Sequence, residues 1–154
     1  MKKVLMVCLG NICRSPAAEG VLRAKAKERN IDLSIDSAGT GAWHTGSPPD
    51  KRMQKAAANR GYDLSQQQAR AVDDSDFYTF DHLLAMDASN YQDLVDRAPP
   101  NMECEISLFL SFTDGTPRET PDPYYGGTDG FEHVLDLVEA GADGFLDYLE
   151  KDNG

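Results

Sequence analysis

Cysteine is scarce in this sequence, and its spacing gives no sign of a disulfide framework. Three cysteines occur among 154 residues, at Cys8, Cys13 and Cys104. An odd number of cysteines at scattered positions argues against a stapled extracellular fold and is typical of a protein in a reducing compartment. We therefore expect a cytoplasmic location.

Long apolar runs and positive charge are scarce as well. The sequence has no stretch of about 18 apolar residues, the length that a membrane-spanning helix needs. Lysine and arginine total 15 against 26 aspartate and glutamate residues, which gives a formal net charge of −11. Because this balance disfavours nonspecific binding to nucleic acids or anionic membranes, we expect no nucleic-acid partner and no membrane insertion. An anionic ligand is repelled at long range and needs a local binding site.

The sequence carries no signal for a metal site or for a nucleotide-binding loop. The histidines His44, His82 and His133 show no metal-ligand spacing, and the G-x4-G-K-[ST] loop of nucleotide-binding proteins is absent. We therefore expect no metal and no cofactor. Repeats and linkers are missing too, and the hydrophobic fraction of 40% suits one globular unit. We expect a single domain over residues 1–154, present as a monomer or a weak dimer.

The most informative segment that is present is CLGNICRS at Cys8–Ser15. An apolar run at residues 4–7 precedes it, and a helix is predicted to follow from Pro16. The apolar run is too short for a signal peptide and leads straight into the motif, so we interpret it as a first buried strand. The segment is therefore a tight loop between a strand and a helix, with a thiol at its entrance and a guanidinium at its exit.

The residue types in this loop suit the binding and attack of a phosphoryl group. Backbone N–H groups that lead into a helix converge on one point and, with the helix macrodipole, form an anion site. Gly10 allows the tight turn, and Arg14 offers a planar fork of donors for two phosphate oxygens. The same positive surroundings favour the thiolate of Cys8, to which Ser15 can donate a hydrogen bond. The loop predicts a sulfur nucleophile beneath a bound oxyanion.

Strand and helix patterns alternate along the rest of the chain. The predicted strands are Lys3–Val7, Ile31–Asp36, His82–Met86 and Glu103–Leu108, and the predicted helices are Pro16–Arg29, Asp50–Arg60, Asp73–Phe80, Ser89–Arg97 and Gly127–Lys151. We expect an apolar stripe on the first helix through Ala18, Val21 and Leu22, and a bend or break in the last helix at Gly141 and Gly144. The alternation predicts a three-layer α/β sandwich with a parallel sheet, whose ligands bind at the carboxyl ends of the strands.

A second chemical element follows the polar, proline-rich stretch from Thr113 to Pro121. The segment DPYYGG begins at Asp122. Cleavage of a phosphoester leaves an alkoxide or phenolate that needs a proton, and a carboxylic acid near the loop can supply it. We therefore predict that Asp122 is the general acid. Tyr124 and Tyr125 either line the pocket or simply pack the loop.

Together, the Cys8 loop and the DPYYG segment resemble the low-molecular-weight protein tyrosine phosphatase family. Between them, the segments DSAG (36–39), GSPPD (46–50), AR (69–70) and MD (86–87) fall in the family's order, so the likeness extends over almost the whole chain. The resemblance implies a four-stranded parallel sheet flanked by helices on both faces. It also implies metal-free hydrolysis of phosphotyrosine in a protein substrate, through a phosphocysteine intermediate.

The resemblance also implies roles for individual residues. Cys8 matches the family's nucleophile, Arg14 its phosphate-binding arginine and Asp122 its general acid. The residues implied to bind substrate are Leu9, Gly10, Asn11, Ile12, Cys13, Ser15, Trp43, Tyr124 and Tyr125. Asn11, Ser15 and Ser37 also match hydrogen-bonding residues that hold the loop in shape.

Two positions near this loop, Gln67 and Cys13, have separate implications. Many family members carry a histidine two residues before the Ala-Arg pair, where this chain has Gln67, which forms hydrogen bonds but cannot become charged. Cys13 lies five residues after Cys8, and in similar proteins such a pair can form a reversible disulfide that shields the nucleophile from overoxidation.

Two other functions remain open on the sequence. An arsenate reductase uses the same oxyanion loop on a similar fold, but its chemistry needs further thiols, and only Cys104 lies downstream of the loop. A non-catalytic phosphotyrosine-binding module has no need for the complete set of Cys8, Arg14 and Asp122.

Overall fold

A parallel four-stranded sheet forms the centre of the molecule. The computed structural model describes residues 1–113, 119–123 and 128–153. The strands β1 (Lys2–Cys8), β2 (Leu33–Gly39), β3 (His82–Ala85) and β4 (Glu105–Leu108) are hydrogen-bonded in the order β2-β1-β3-β4. The helices are α1 (Arg14–Glu28), α2 (Lys51–Asn59), α3 (Asp76–Thr79), α4 (Ala88–Arg97) and α5 (Thr128–Asn153), with a 3-10 helix at Phe109–Phe112. This architecture confirms the predicted three-layer α/β sandwich.

β1 is apolar along its length because helices cover both faces of the sheet. Val4, Leu5, Met6 and Val7 are all fully buried. Val4 and Met6 pack into a cluster with residues of α1, α2 and α5, whereas Leu5 and Val7 pack into a second cluster with residues of α3 and α4. A continuous apolar run is the expected sequence of a parallel strand buried in this way.

α1 differs from the helix that the sequence predicts. It begins at Arg14 rather than Pro16, and its first nine residues, 14–22, are all buried. The predicted apolar stripe through Ala18, Val21 and Leu22 is buried as expected, but burial in this half of α1 extends beyond it, because α1 packs against β1 and β2 on one side and α5 on the other. A helix enclosed in this way needs no amphipathic pattern.

α5 is continuous from Thr128 to Asn153, so a break at Gly141 and Gly144 is wrong. A Cβ atom at Gly141 would lie 2.7 Å from the ring of Phe109, and one at Gly144 would collide with the carbonyl oxygen of Phe112. Because neither glycine has a side chain, the 3-10 helix can pack closely against α5. Among the described residues, no helix has the length and apolarity needed to cross a membrane.

β2 starts and ends later in the chain than predicted. Asn30 adopts a left-handed conformation with a φ of 57°, which ends α1 and turns the chain before it joins the sheet. β2 then continues through Ser37 to Gly39, where Gly39 lies beside Cys8 in the parallel register. This shift matters for the site because it brings Ser37 next to the loop that follows β1.

The acidic run at residues 73–76 is only partly a solvated surface. Asp76 is buried and accepts hydrogen bonds from the guanidinium of Arg70 at 2.9 and 3.1 Å. Arg70 also reaches Asp36 at the edge of β2. These contacts fix the backbone of Arg70 beside the Cys8 loop.

Candidate active site

The Cys8 loop lies at the carboxyl end of the central strand. β1 pairs with β2 on one side and with β3 on the other, so the loop from Cys8 to Arg14 leaves the sheet where the strand order reverses. Ligands of open α/β sheets bind at such a switch point. Asp87, two residues after the end of β3, is brought to the same edge of the sheet.

The backbone of the loop directs its carbonyl groups away from the loop's interior. The carbonyls of Leu9, Ile12 and Cys13 accept hydrogen bonds from the N–H groups of Gly41, Asp50 and Ala17. In a trans peptide each N–H points opposite to the preceding carbonyl, so the next N–H groups along the loop face its interior. An interior lined by N–H groups at a helix start attracts an anion.

The sulfur of Cys8 lies inside this ring of donors and is almost fully buried. Its Sγ lies 2.9 Å from the hydroxyl oxygen of Ser15 and 3.3 Å from the backbone nitrogen of Asn11, which donates to it. Donors aimed at a sulfur stabilise its negative form. The position that the sequence predicts for a nucleophile thus lies within hydrogen-bonding distance of one N–H donor and one hydroxyl group.

Asn11 holds the loop in a shape that most residues disfavour. Its φ of 58° lies in the left-handed region, which asparagine tolerates better than most side chains. Its side-chain nitrogen donates to Ser15 Oγ at 2.8 Å and to Ser37 Oγ at 2.9 Å, and its side-chain oxygen accepts from the backbone N–H of Arg70. These three bonds tie the loop to α1, β2 and the segment before α3.

Arg14 is buried and its guanidinium is aimed by fixed partners. Nη1 donates to a carboxylate oxygen of Asp87 at 2.6 Å and to the carbonyl of Thr120 at 3.1 Å. Burial alone would lower the pKa of Arg14, but the negative charge of Cys8 and the bond to Asp87 raise it above its ordinary value. The cation is therefore firmly charged and held toward the loop.

Asp122 reaches the same place from the other end of the chain. Its carboxylate lies 3.7 Å from Nη2 of Arg14, and about half of the side chain remains exposed. Asp122 also lines the cleft above Cys8. A carboxyl group that faces both the cleft and solvent can exchange protons with water between reaction steps.

Cys13 has surroundings that differ from those of Cys8. Burial raises the pKa of the Cys13 thiol well above its usual range, and the negative charges of Asp50 and Cys8 raise it further. Cys13 therefore stays protonated at neutral pH. All three cysteines are free thiols in this structure.

A cleft of about 320 Å³ opens above the loop. It is lined by Cys8, Leu9, Gly10, Ile12, Cys13, Arg14, Trp43, His44 and Asp122. Trp43 is 73% exposed and Leu9 42% exposed, so the mouth of the cleft carries two large apolar side chains open to solvent. A charged floor below an apolar mouth suits a phosphate ester that has a flat apolar group.

The comparison with known proteins decides the family. A model described as low molecular weight phosphotyrosine protein phosphatase matches residues 3–154. The chain belongs to this family. Since the family's members are named as phosphatases, the chain is a phosphoric monoester hydrolase.

The similarity to individual family members extends over whole chains. A relative from Synechocystis sp. is 43% identical over 154 residues, covering 97% of this chain and 98% of the relative. The low molecular weight protein-tyrosine-phosphatase PtpA of Staphylococcus aureus is 39% identical over 153 residues, with 99% of this chain and 96% of PtpA covered. A crystal structure of a protein tyrosine phosphatase from Entamoeba histolytica, with Hepes in the active site, has a TM-score of 0.94 at 40% identity and covers both chains fully.

The structure places most of the predicted site residues of this phosphatase around one cleft. Cys8, Leu9, Gly10, Ile12, Cys13, Arg14, Trp43 and Asp122 line it. The side chains of Asn11 and Ser15 do not line it, because they are buried beneath the loop and bond to each other. Tyr124 and Tyr125 lie outside the described residues.

Two residues of the site were missed by the sequence reasoning. Asp87 aims Arg14, and the available signal was its place directly after a predicted strand, at the edge where ligands bind. His44 lines the cleft beside Gly10, and no spacing in the sequence indicated this. In the described parts of the chain, no group of three or more metal-ligating side chains occurs.

Proposed function

We propose that the chain hydrolyses phosphotyrosine monoesters in a protein substrate through a phosphocysteine intermediate on Cys8. One observation carries the proposal: a buried thiol sulfur in contact with the Asn11 N–H and the Ser15 hydroxyl lies on the floor of a cleft that Arg14 and Asp122 also line. Residues 1–154 then form one catalytic domain.

The first step transfers the phosphoryl group to the enzyme. The sulfur of Cys8 attacks phosphorus in line while Arg14 and the loop N–H groups hold the non-bridging oxygens. The S–P bond forms as the bond from phosphorus to the phenolic oxygen breaks. Asp122 gives its proton to that oxygen, so the product leaves as a neutral phenol.

The second step returns the enzyme to its starting state. Asp122, now a carboxylate, takes a proton from a water molecule that attacks phosphorus. The S–P bond breaks, Cys8 regains its negative charge and inorganic phosphate is released. The bond from Ser15 to the sulfur stabilises Cys8 as the leaving group in this step.

The walls of the cleft favour an aromatic ester over an aliphatic one. Trp43 and Leu9 offer exposed apolar surface at the mouth, which a phenyl ring covers and a serine side chain does not reach to the same extent. We therefore expect selectivity for phosphotyrosine over phosphoserine.

An arsenate reductase is disfavoured by the position of the third cysteine. Cys104 lies immediately before β4, at the amino end of the sheet, in the core cluster on the face away from α1. The Cys8 loop lies at the carboxyl end, so Cys104 cannot relay electrons to it without unfolding the sheet. A non-catalytic binding module, in turn, has no use for a carboxyl group placed as Asp122 is.

The experiment compares phosphate release from a phosphotyrosine peptide and a phosphoserine peptide, with a chelator and fresh reductant present. We expect release from the tyrosine peptide alone, and we expect Cys8→Ser to abolish turnover while it still binds phosphate. Cys104→Ser is the matched control and should remain active. Turnover by the Cys8→Ser variant, or none by the folded parent protein, would contradict the proposal.

A further inference from the structure

A carboxylate is buried behind the Cys8 loop, and the reaction described above does not use it. Glu19 lies on α1, one turn after Ser15, and is only 5% exposed. Its Oε1 accepts a hydrogen bond from the hydroxyl of Ser37 at 2.7 Å, and its Oε2 accepts one from Nη2 of Arg23 at 2.6 Å. A buried carboxylate is costly unless it is paired, so its presence next to the loop requires an explanation.

The hydrogen bonds between Glu19 and Cys8 form a chain whose direction is determined by its fixed members. The backbone N–H of Arg70 can only donate, and it meets Oδ1 of Asn11 at 3.0 Å. This contact fixes which end of the Asn11 amide is oxygen. The amide nitrogen of Asn11, with two hydrogens and no acceptor capacity, therefore faces both Ser15 and Ser37.

Each serine hydroxyl must then donate its own hydrogen to an acceptor other than Asn11. Ser15 Oγ accepts from Asn11, so its hydrogen is available for the sulfur of Cys8, 2.9 Å away. Ser37 Oγ also accepts from Asn11, and its hydrogen has an acceptor in Glu19, 2.7 Å away. If Glu19 did not accept this hydrogen bond, the Ser37 hydroxyl hydrogen would lose its acceptor. It would then compete with the Asn11 amide hydrogen for the space between the two side chains.

Gln67 does not take this position. Its Nε2 donates to the carbonyl of Pro16 at 3.1 Å, rather than to a member of the chain of bonds. The acceptor at the end of the chain is thus the Glu19 carboxylate. Arg23, which is half exposed, also donates to the carbonyl of Ile35 and so fixes Glu19 between α1 and β2.

We propose that Glu19 is a positioning residue that sets the direction of the hydrogen bonds through Ser37, Asn11 and Ser15, and so keeps the Ser15 hydroxyl donating to the Cys8 sulfur. The proposal rests on the proposed function, in which Cys8 is the nucleophile and the leaving group. Arg23 supports Glu19 by holding it as a carboxylate. The pKa of Glu19 is nevertheless raised overall, because burial outweighs the bonds from Ser37 and Arg23 that lower it, and the charge of Asp36 raises it further.

The test is the pH dependence of Cys8 alkylation by iodoacetamide, measured on the full chain without substrate. Glu19→Gln cannot accept from Ser37 and from Arg23 at the same time, since one end of its amide carries only hydrogens. We expect its alkylation midpoint to rise by about one pH unit, which corresponds to about tenfold weaker stabilisation of the sulfur anion. Glu28→Gln, an exposed change on the same helix, is the matched control and should leave the midpoint unchanged.

Two further variants keep the test decisive if Glu19→Gln does not fold. Arg23→Met alters an exposed side chain and should move the midpoint in the same direction by a smaller amount, whereas Arg23→Lys should restore most of it. Where Glu19→Gln does fold, it should add no further shift in a Ser37→Ala background, because that change already cuts the chain of bonds. Unchanged midpoints in folded Glu19→Gln and in Arg23→Met, or a fully additive shift in the double variant, would overturn the proposal.

The alkylation test is separate from the test of the proposed function, because it needs no phosphate ester. If the parent protein hydrolyses no phosphotyrosine peptide, the proposed function fails, yet the alkylation midpoints still show whether Glu19 acts on Cys8. If turnover is present and the midpoints do not respond, the role of Glu19 alone is wrong.

Discussion

Two cysteines five positions apart in one loop have opposite chemical surroundings. The sulfur of Cys8 faces the Ser15 hydroxyl and the Asn11 N–H, whereas Cys13 is buried and faces the negative charges of Asp50 and Cys8. In the proposed function, the same type of side chain therefore serves as a nucleophile in one position and remains a neutral thiol in the other.

This difference predicts selective alkylation at mildly acidic pH. Brief treatment with iodoacetamide at about pH 6.5 should modify Cys8 and leave Cys13 unmodified, since the raised pKa of Cys13 keeps it protonated there. Peptide mapping by mass spectrometry measures both sites in one sample, and bound inorganic phosphate should protect Cys8. Modification of Cys13 at the same rate as Cys8 would show that the loop does not distinguish them.

The position of Asp122 predicts a dependence on the leaving group. Asp122→Asn keeps the shape of the side chain but has no proton to give, so esters of weakly acidic phenols should slow by roughly 10²- to 10⁴-fold. Esters of strongly acidic phenols need no such proton and should slow far less in their first step. The measurement is phosphoenzyme formation across a series of aryl phosphates, and equal slowing along the series would remove the general-acid assignment.

At the scale of elements, the site depends on where three strands end and one helix begins. Cys8 ends β1, Gly39 ends β2, and Asp87 follows β3, while α1 begins at Arg14. Asp87 has two tasks at this junction, because one of its oxygens aims Arg14 and the other accepts the N–H of Asn90 as the N-cap of α4. Substitution can separate the two tasks.

Asp87→Asn should impair catalysis with little loss of stability. Asparagine still caps a helix, but it cannot form the charged pair with Arg14, so kcat/KM should fall by about 10- to 100-fold. Asp87→Ala should lose the cap as well and reduce the free energy of unfolding by a further amount of about 1 kcal/mol. Kinetics and denaturant unfolding on both variants measure this, and a catalytically normal Asp87→Asn would contradict the assigned role.

The packing of α5 predicts a second effect at this scale. Gly144→Ala should lower the free energy of unfolding by about 1–3 kcal/mol, because its methyl group meets the backbone of Phe112. Gly130→Ala, whose nearest described neighbour would be Pro123 at an ordinary contact distance of 3.4 Å, is the control and should be close to neutral. If Gly144→Ala were as stable as the control, the close approach of the 3-10 helix would be wrong.

At the scale of the whole molecule, the net charge of −11 opposes the substrate that the site attracts. Long-range repulsion is screened by salt, whereas the short contacts of the loop are screened less. Raising the ionic strength should therefore increase kcat/KM for an acidic phosphotyrosine peptide and decrease it for a basic one of equal length. A shared salt dependence for both peptides would show that the overall charge does not steer binding.

The sequence predicted the architecture well because strand and helix patterns alternate and the phosphate loop carries its own signals. The loop residues and Asp122 could be proposed as site residues for the same reason, since each residue type has a chemical task that its spacing indicates. Asp87 and Glu19 were missed because their tasks depend on partners 73 and 18 positions away. The continuous burial of residues 14–22 in α1 was missed because tertiary packing on two sides leaves no helical period in that part of the sequence.

The most direct test of the central claim is to trap the phosphoenzyme. Asp122→Asn, mixed with an aryl phosphate of a strongly acidic phenol and quenched rapidly, should accumulate one phosphoryl group, because the first step proceeds and the attack by water lacks its base. Mass spectrometry should place that group on Cys8. Turnover without a phosphoryl group on Cys8, or with one on another residue, would contradict the account.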